Sequence, residues 1–145
     1  MISPISYAQV LAEPELLKAY SDECSIAELG ETNPCAAMYR AMEAADILKI
    51  FGAFEDGQLI GFASLFVSVY PHYTRKVATL ESLYVLPEYR ATGAGTELMQ
   101  TVEQYAKEDG CAGIMYSAPA GGRLAALLQR KGYRQTSAVF VRSIA

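Results

Sequence analysis

One segment in the second half of the chain constrains the fold more than any other. Residues 83–86 are apolar and β-prone, Pro87 ends the run, and Gly93 and Gly95 precede a segment with helical spacing. A strand, a glycine loop and a helix N-terminus in succession leave first-turn N–H groups without intrahelical partners, and the helix dipole adds about half a positive charge there. Glycines allow the backbone to approach phosphate oxygens closely. With Arg90 as a permanent cation beside the loop, the segment predicts a site for a phosphorylated ligand.

The composition limits the classes of protein to which the chain can belong. Its 145 residues, 52% of them hydrophobic, suffice for one core, so we expect a single domain over residues 1–145. A net charge of −4 disfavours a broad nucleic-acid surface. Three cysteines and one histidine lack the spacing of a disulfide framework or a metal site. Neither a leader nor an apolar run of about 20 residues is found, so we expect a cytoplasmic protein without membrane contact.

Hydrophobic periodicity predicts an α/β fold. Strands are predicted over residues 48–55, 59–70 and 77–86, with Asp56-Gly57 as a hairpin turn between the first two. The remaining predicted elements are an edge strand within residues 1–10, helices over 13–30, 35–45 and 96–108, a buried strand over 111–117, a helix after Gly121-Gly122, and one or two final strands over 133–144. The order β-α-α-β-β-β-α-β-α-β predicts a mixed sheet with helices on both faces.

The segment around the glycine loop also carries a family resemblance. Residues 80–90 read Leu-Glu-Ser-Leu-Tyr-Val-Leu-Pro-Glu-Tyr-Arg and lead into Arg90-x-x-Gly93-x-Gly95. This pattern resembles the (Arg/Gln)-x-x-Gly-x-(Gly/Ala) acyl-CoA signature of the GNAT superfamily of acyl-CoA-dependent N-acyltransferases. The following helix, buried strand and final helix closing on Lys131-Gly132-Tyr133 agree with the element order of that family. The resemblance implies a mostly antiparallel sheet whose strands splay apart around an acyl-CoA site.

The resemblance also implies where acetyl-CoA, the expected cosubstrate, is bound. The backbone around Leu83, Tyr84 and Val85 would pair with the pantetheine arm, because the polar groups of a splayed strand need partners. The Val85 N–H would donate to the thioester oxygen, which gains negative charge in the transition state. The pyrophosphate would be held by the loop and first helical turn, namely Arg90, Ala91, Thr92, Gly93, Ala94, Gly95 and Thr96. Arg130 and Lys131 are candidates for the 3′-phosphate.

Glu81 is the candidate general base. It matches the position of a catalytic glutamate in several members of the family, and strand alternation predicts that it shares a face with Leu83 and Val85. A buried carboxylate there would have a raised pKa, suited to removing a proton from the acceptor ammonium. The alternative is that Glu81 only binds the ammonium and moves no proton.

The general acid is left unassigned. Many family members have a tyrosine four residues before the closing glycine of the last helix, where this chain has Leu128. Either the thiolate leaves unaided, since a thiol has a low pKa, or another hydroxyl serves. Tyr116 and Ser117, at the end of the neighbouring strand, are the candidates.

The acceptor pocket is expected near the loop that follows the second long strand. Tyr70, His72 and Tyr73 lie there, and their rings could contact an amine by cation–π interaction. The alternative is an ordinary exposed loop.

The leading interpretation is an N-acetyltransferase that transfers an acetyl group from acetyl-CoA to a primary amine, small or peptidic, by direct attack in a ternary complex. The alternative is a catalytically weak acyl-CoA-binding or sensing module of the same fold, which the presence of Leu128 keeps open. A dinucleotide-dependent oxidoreductase is disfavoured, because its fingerprint requires a third glycine where this chain has Leu98. A homodimer paired through the last strands is left open.

Overall fold

The computed structural model describes residues 1–145 around a single five-stranded sheet. Its strands, in spatial as well as chain order, are β1 (Ile2–Ile5), β2 (Leu48–Glu55), β3 (Gln58–Tyr70), β4 (Arg75–Val85) and β5 (Gly113–Tyr116). The first four strands are antiparallel neighbours, whereas β5 runs parallel to β4 at the edge. The predicted mixed, mostly antiparallel sheet is therefore confirmed.

Helices cover both faces of this sheet, as predicted. They are α1 (Tyr7–Leu11), α2 (Pro14–Cys24), α3 (Ala36–Ala44), α4 (Ala94–Glu108) and α5 (Arg123–Arg130), with short 3-10 turns at Ala27–Leu29 and Pro87–Thr92. One core cluster joins α4 to the sheet, and a second joins α1, α2 and α3 to the opposite face. None of the helices combines the length and apolar character that crossing a bilayer requires.

The turn between β2 and β3 forms at the predicted residues. Asp56 and Gly57 both have positive φ, +48° and +78°. Two such residues make the tight turn whose twist matches that of an antiparallel hairpin. The predicted hairpin turn at these two residues is therefore confirmed.

A β-bulge lies in the middle of the β3–β4 ladder. Ser64 pairs with Ser82 while Leu65 pairs with Leu80, so Glu81 has no residue opposite it. An extra residue interrupts the alternation of a strand. Glu81 therefore lies on the same face as Ser82, towards α1–α3, and Leu83 and Val85 lie on the α4 face with the first core cluster. The expectation that Glu81 shares a face with Leu83 and Val85 is wrong, because regular alternation does not continue through the bulge.

Strands β4 and β5 pair over only four residues and then separate. The last pair joins Leu80 to Tyr116, so the second half of β4 has no neighbour on that side. The chain leaves β5 through Ala118-Pro119 and reaches α5, which lies across the gap. This separation confirms the predicted splay of the two strands.

The predicted final strands are absent. Residues 134–145 form no helix or strand, and their backbone makes no hydrogen bond to the rest of the chain. Val139, Phe140 and Ile144 are 90%, 91% and 96% exposed. The apolar pattern reports a preference for extended backbone, but a strand also needs a neighbouring edge that satisfies its hydrogen bonds.

Candidate active site

A groove of about 630 Å³ lies where β4 and β5 separate. The end of β4, the loop before α4 and one side of α5 enclose it. Seven of the predicted acyl-CoA-binding residues line it: Leu83, Tyr84, Val85, Arg90, Gly93, Gly95 and Thr96. The other three do not: Ala91 and Thr92 are exposed outside it, and Ala94 is buried under the helix.

The N-terminus of α4 opens onto this groove. The helix begins at Ala94, two residues before the predicted start, because Gly93 in a left-handed conformation (φ +89°) serves as its N-cap. The first intrahelical bond runs from the Glu97 N–H to the Gly93 carbonyl at 3.0 Å. The N–H groups of Gly95 and Thr96 therefore have no intrahelical partner, and they supply the partial positive charge that an anion requires.

Three arginines surround the groove: Arg90, Arg123 and Arg130. Of the two residues considered for a 3′-phosphate, Arg130 lines it and Lys131 does not. Arg123, in the first turn of α5, is a cation that the sequence reasoning did not single out. A groove with three guanidinium groups and free backbone donors has the chemistry to bind several phosphates.

Arg90 also connects the loop to α2. Its Nε donates to the Val85 carbonyl at 2.9 Å, and a terminal nitrogen contacts Glu23 Oε2 at 2.7 Å. Its guanidinium lies 5.3 Å from the centre of the Tyr84 ring. Burial and the nearby Glu23 carboxylate raise the pKa of Tyr84 to about 12, so its phenol is neutral at physiological pH.

We expect this ion pair to make the stability of the fold depend on pH in the acid range. The hydrogen bond from Arg90 lowers the pKa of the Glu23 carboxyl. A carboxyl with a lowered folded-state pKa stabilises the fold above its unfolded pKa of about 4.3, and this contribution is lost as the pH falls through the folded value. The melting temperature of Glu23→Gln should therefore fall less than that of the wild type between about pH 5 and pH 3. The exposed Glu28, changed to Gln, serves as the control, and identical pH profiles for the wild type and Glu23→Gln would contradict the prediction.

The open edge of β4 presents backbone groups to the groove. The Leu86 N–H donates to the Ile60 carbonyl at 2.9 Å, and hydrogen-bonded pairs alternate with non-hydrogen-bonded ones along an antiparallel ladder. By the observed register, Leu83 and Val85 fall at non-hydrogen-bonded positions. Their N–H and C=O groups consequently point away from β3, towards the gap. Arg90 satisfies the Val85 carbonyl, and no protein acceptor faces the Val85 N–H.

Glu81 follows the last residue of β4 that pairs with β5. Its carboxylate Oε2 accepts a hydrogen bond from the Ser64 hydroxyl, and the Ser82 hydroxyl lies 3.3 Å from the same oxygen. Ser64 and Ser82 are buried and also hydrogen-bond to each other. The signal for this pair in the sequence is a serine within an apolar stretch of β3 and a serine next to Glu81 in β4, which the sequence reasoning did not use.

An aromatic layer from the N-terminal helices surrounds the carboxylate. Tyr7 and Tyr39 stack in parallel, with ring centres 3.6 Å apart, and Tyr20 contacts Tyr84 edge to face. Burial raises the pKa of Tyr7, Tyr20 and Tyr39, and the charge of Glu81 adds to each shift. Three neutral phenols therefore lie close enough to Glu81 for its charge to raise their pKa.

The N-terminal layer concentrates the negative charge of the protein. Residues 1–46 contain eight acidic and two basic side chains, net −6, whereas the whole chain carries −4, so residues 47–145 carry +2. This layer packs on the same face of the sheet as Glu81. A cationic molecule approaching Glu81 from that side would therefore be attracted, and an anionic one repelled.

Other predicted site residues lie elsewhere. Tyr70, His72 and Tyr73 lie at the β3–β4 hairpin. Glu81 is about 20 Å of extended strand away, counted from Arg75, where β4 begins. Tyr116 hydrogen-bonds to Glu103 of α4 at 2.6 Å, and both burial and that carboxylate raise its pKa. Ser117 is exposed and does not line the groove. The structure thus brings none of these five residues into the site described above.

Helix α5 and Cys24 also affect the chemistry that the groove can perform. Leu128 is buried, and no α5 residue that lines the groove carries a hydroxyl; these residues are Arg123, Leu124, Ala126, Leu127 and Arg130. Cys24, which the sequence reasoning did not consider as a site residue, lines the groove. Burial raises the pKa of its thiol, which therefore stays protonated and is a weak nucleophile.

Solved structures that share this architecture include acetyltransferases. An aminoglycoside acetyltransferase from an uncultured soil metagenomic sample, in complex with sisomicin, superposes with a TM-score of 0.77 over 100% of this chain and 96% of its own, at 14% identity. An aminoglycoside N-acetyltransferase in complex with CoA gives a TM-score of 0.73 over 98% and 97%, at 22% identity. These low identities establish the fold alone.

Sequence comparison establishes the family. The chain is 34% identical to an aminoglycoside N(6′)-acetyltransferase type 1 of Acinetobacter genomosp. 13 over 108 residues, 70% of this chain and 73% of the relative. It is 31% identical to the thialysine N-ε-acetyltransferase of Mus musculus over 67 residues, 46% of this chain and 39% of that enzyme. The acetyltransferase (GNAT) family model matches residues 13–133. The chain therefore belongs to the GNAT family and is an acetyl-CoA-dependent N-acyltransferase.

Proposed function

We propose that this protein transfers the acetyl group of acetyl-CoA to a primary amine of a small, multiply charged cationic acceptor, by direct attack in a ternary complex. One observation carries the proposal: a carboxylate, Glu81, lies where β4 and β5 separate, between an acidic helical layer and a groove suited to phosphates. The bound cosubstrate would supply an activated thioester. We propose that residues 1–145 perform the whole reaction as one domain.

Each part of the groove has a separate binding task in this proposal. The N–H groups of Gly95 and Thr96 and the nearby arginines hold phosphates, as helix N-termini and guanidinium groups do. The unpaired edge at Leu83 and Val85 hydrogen-bonds to the amides of an extended arm. The Val85 N–H donates to the thioester oxygen and stabilises the negative charge that develops there.

Glu81 acts as the general base. An ammonium group has no free electron pair, so the acceptor must lose a proton before its nitrogen can attack a thioester. Hydrogen bonds to Glu81 reach only Oε2, which leaves Oε1 free to receive that proton. The protonated thiol of Cys24 argues against a covalent acyl-enzyme, in agreement with direct attack.

The acceptor class follows from charge and from the relatives. The net charge of −6 on residues 1–46 favours acceptors that carry several positive charges. Relatives in sequence are named aminoglycoside N(6′)-acetyltransferases, and one similar structure holds sisomicin. We therefore propose aminoglycosides, with other polyamines of similar charge, as the acceptors, in preference to a peptide amine.

The test is a panel of acceptors assayed by thiol release at fixed acetyl-CoA. We expect kcat/KM to be highest for aminoglycosides, intermediate for spermidine and lowest for lysine and for a peptide N-terminus. Raising the ionic strength should lower kcat/KM for the polycations, because screening weakens attraction between exposed charges. A peptide that outperforms every polyamine would overturn the proposed acceptor class.

A second candidate function is a weakly active acyl-CoA-binding module. The composition of α5 favours it, since no hydroxyl of that helix lines the groove to protonate a leaving thiolate. A thermal-shift titration with acetyl-CoA separates the two. Stabilisation by acetyl-CoA without thiol release for any amine would support the module, whereas turnover would support the enzyme.

We also propose a homodimer formed through the C-terminal segment, residues 134–145. Each chain contributes an open sheet edge at β5 and a segment with exposed apolar side chains and no backbone partner. In a dimer, the C-terminal segment of each chain can pair with the β5 edge of the other, so that the backbone groups of both find hydrogen-bond partners. Light scattering after size exclusion should give the mass of a dimer, and Phe140→Glu should shift it to a monomer. The neighbouring change Thr136→Glu, of equal charge, should not. A wild-type monomer at all concentrations would show that the segment pairs with its own chain or not at all.

A further inference from the structure

We propose that Ser64 and Ser82 are positioning residues that fix the carboxylate of Glu81 for proton transfer. This inference rests on the proposed role of Glu81 as general base. It assigns a function to two buried hydroxyls on neighbouring strands and to the β-bulge that brings Glu81 to them.

The bulge creates the contact. In an unbroken β4, Leu80 and Ser82 would point to one face and Glu81 to the other. The extra residue instead leaves Glu81 and Ser82 on the same face, while Leu80 remains in the α4 core. Ser64, opposite Ser82 on β3, lies beside both side chains. A one-residue irregularity therefore brings a carboxylate and two hydroxyls together.

The hydroxyls have little other reason to be buried. Ser64 is 0% and Ser82 6% exposed, among apolar neighbours on both strands. A hydroxyl removed from water without a hydrogen-bond partner destabilises the fold, so a pair of serines here needs acceptors. Glu81 Oε2 is that acceptor, and no buried side-chain polar atom is left unpaired.

The hydrogen bonds from the two serines determine which oxygen of Glu81 is held and which is free. Two hydroxyls contribute two protons: Ser64 donates to Glu81 Oε2, and Ser82 donates to Ser64 or to the same carboxylate oxygen. Oε2 is thereby held by two strands, and Oε1 is the oxygen that can take a proton from the acceptor.

Fixing a base in this way affects rate more than stability. A glutamate side chain on a half-open strand has several rotamers, and a displacement of about 1 Å from the reactive geometry can reduce a rate by about 10²-fold. Loss of the Ser64 hydroxyl removes the direct donor, whereas loss of the Ser82 hydroxyl leaves it in place. The two variants should therefore differ in severity.

The test is a double-mutant cycle on the intact chain. Ser64→Ala should lower kcat by roughly 10- to 10²-fold and Ser82→Ala by a smaller factor, with the KM for acetyl-CoA unchanged. In a Glu81→Gln background, Ser64→Ala should lower the remaining kcat by less than about 2-fold, because no base remains to be positioned. Ser68→Ala, on the exposed part of β3, should behave as wild type.

The outcomes separate this inference from the proposed function. Full activity in Glu81→Gln would overturn both. Loss of activity in Glu81→Gln with normal activity in Ser64→Ala would overturn only the positioning role. An equal loss from Ser64→Ala in both backgrounds would also overturn it, since a purely structural effect does not depend on residue 81. If Ser64→Ala does not fold, Ser82→Ala in the same two backgrounds decides the question.

Discussion

Replacing Glu81 with glutamine is expected to lower kcat by about 10²–10³-fold while the affinity for acetyl-CoA stays unchanged. Glutamine preserves the volume and one carbonyl oxygen, which can still accept the Ser64 hydrogen bond, but it cannot take a proton. The groove proposed to bind the cosubstrate begins at Leu83 on β4 and does not include Glu81. Steady-state kinetics by thiol release, combined with a thermal-shift titration of acetyl-CoA, measure the two effects separately.

The same experiment distinguishes the two roles considered for this carboxylate. If Glu81 only binds the acceptor ammonium, the KM for the acceptor should rise and kcat should stay near the wild-type value. Glu55→Gln, an identical change at the exposed end of β2, is the matched control and should leave all constants unaltered. Wild-type kcat and KM in Glu81→Gln would exclude both roles.

Replacing Gly95 with aspartate is expected to weaken acetyl-CoA binding by about 10²-fold without lowering the melting temperature. The residue lies in the first turn of α4, and its added Cβ would meet only the Val85 side chain, at 3.9 Å. A carboxylate there favours the helix by about 0.3–1 kcal/mol through the dipole. It would repel a bound phosphate by about 3 kcal/mol for charges about 5 Å apart at an effective dielectric constant of about 20.

Gly95→Asp should stabilise the helix but weaken acetyl-CoA binding, and this combination makes the prediction specific. A variant that merely damaged the fold would lose both stability and binding. Gln100→Asp adds the same charge on the exposed side of α4, away from the groove, and should leave acetyl-CoA affinity unchanged. Unchanged affinity in Gly95→Asp would show that the phosphates do not bind at this helix N-terminus.

The sequence alone determined the parts of this protein that depend on local chemistry. The hairpin at Asp56-Gly57 follows from two residues that tolerate positive φ. The loop before α4 was found because a strand-ending proline, an arginine and two glycines lie within a few residues of one another. The long strands and α4 each arise from a pattern within one continuous segment, in which chain neighbours are also spatial neighbours.

The tertiary structure decided the features that depend on residues far apart in the chain. The face of Glu81 is set by a bulge, which is a mismatch between β3 and β4 that neither strand reveals alone. The contact of Ser64 with Glu81 and the placement of His72 at the far hairpin follow from strand register and strand length. The C-terminal segment, residues 134–145, shows most directly what local sequence does not determine. Its residues favour a strand, but a strand exists only where a neighbouring backbone supplies hydrogen bonds, and that partner is not encoded within the segment itself.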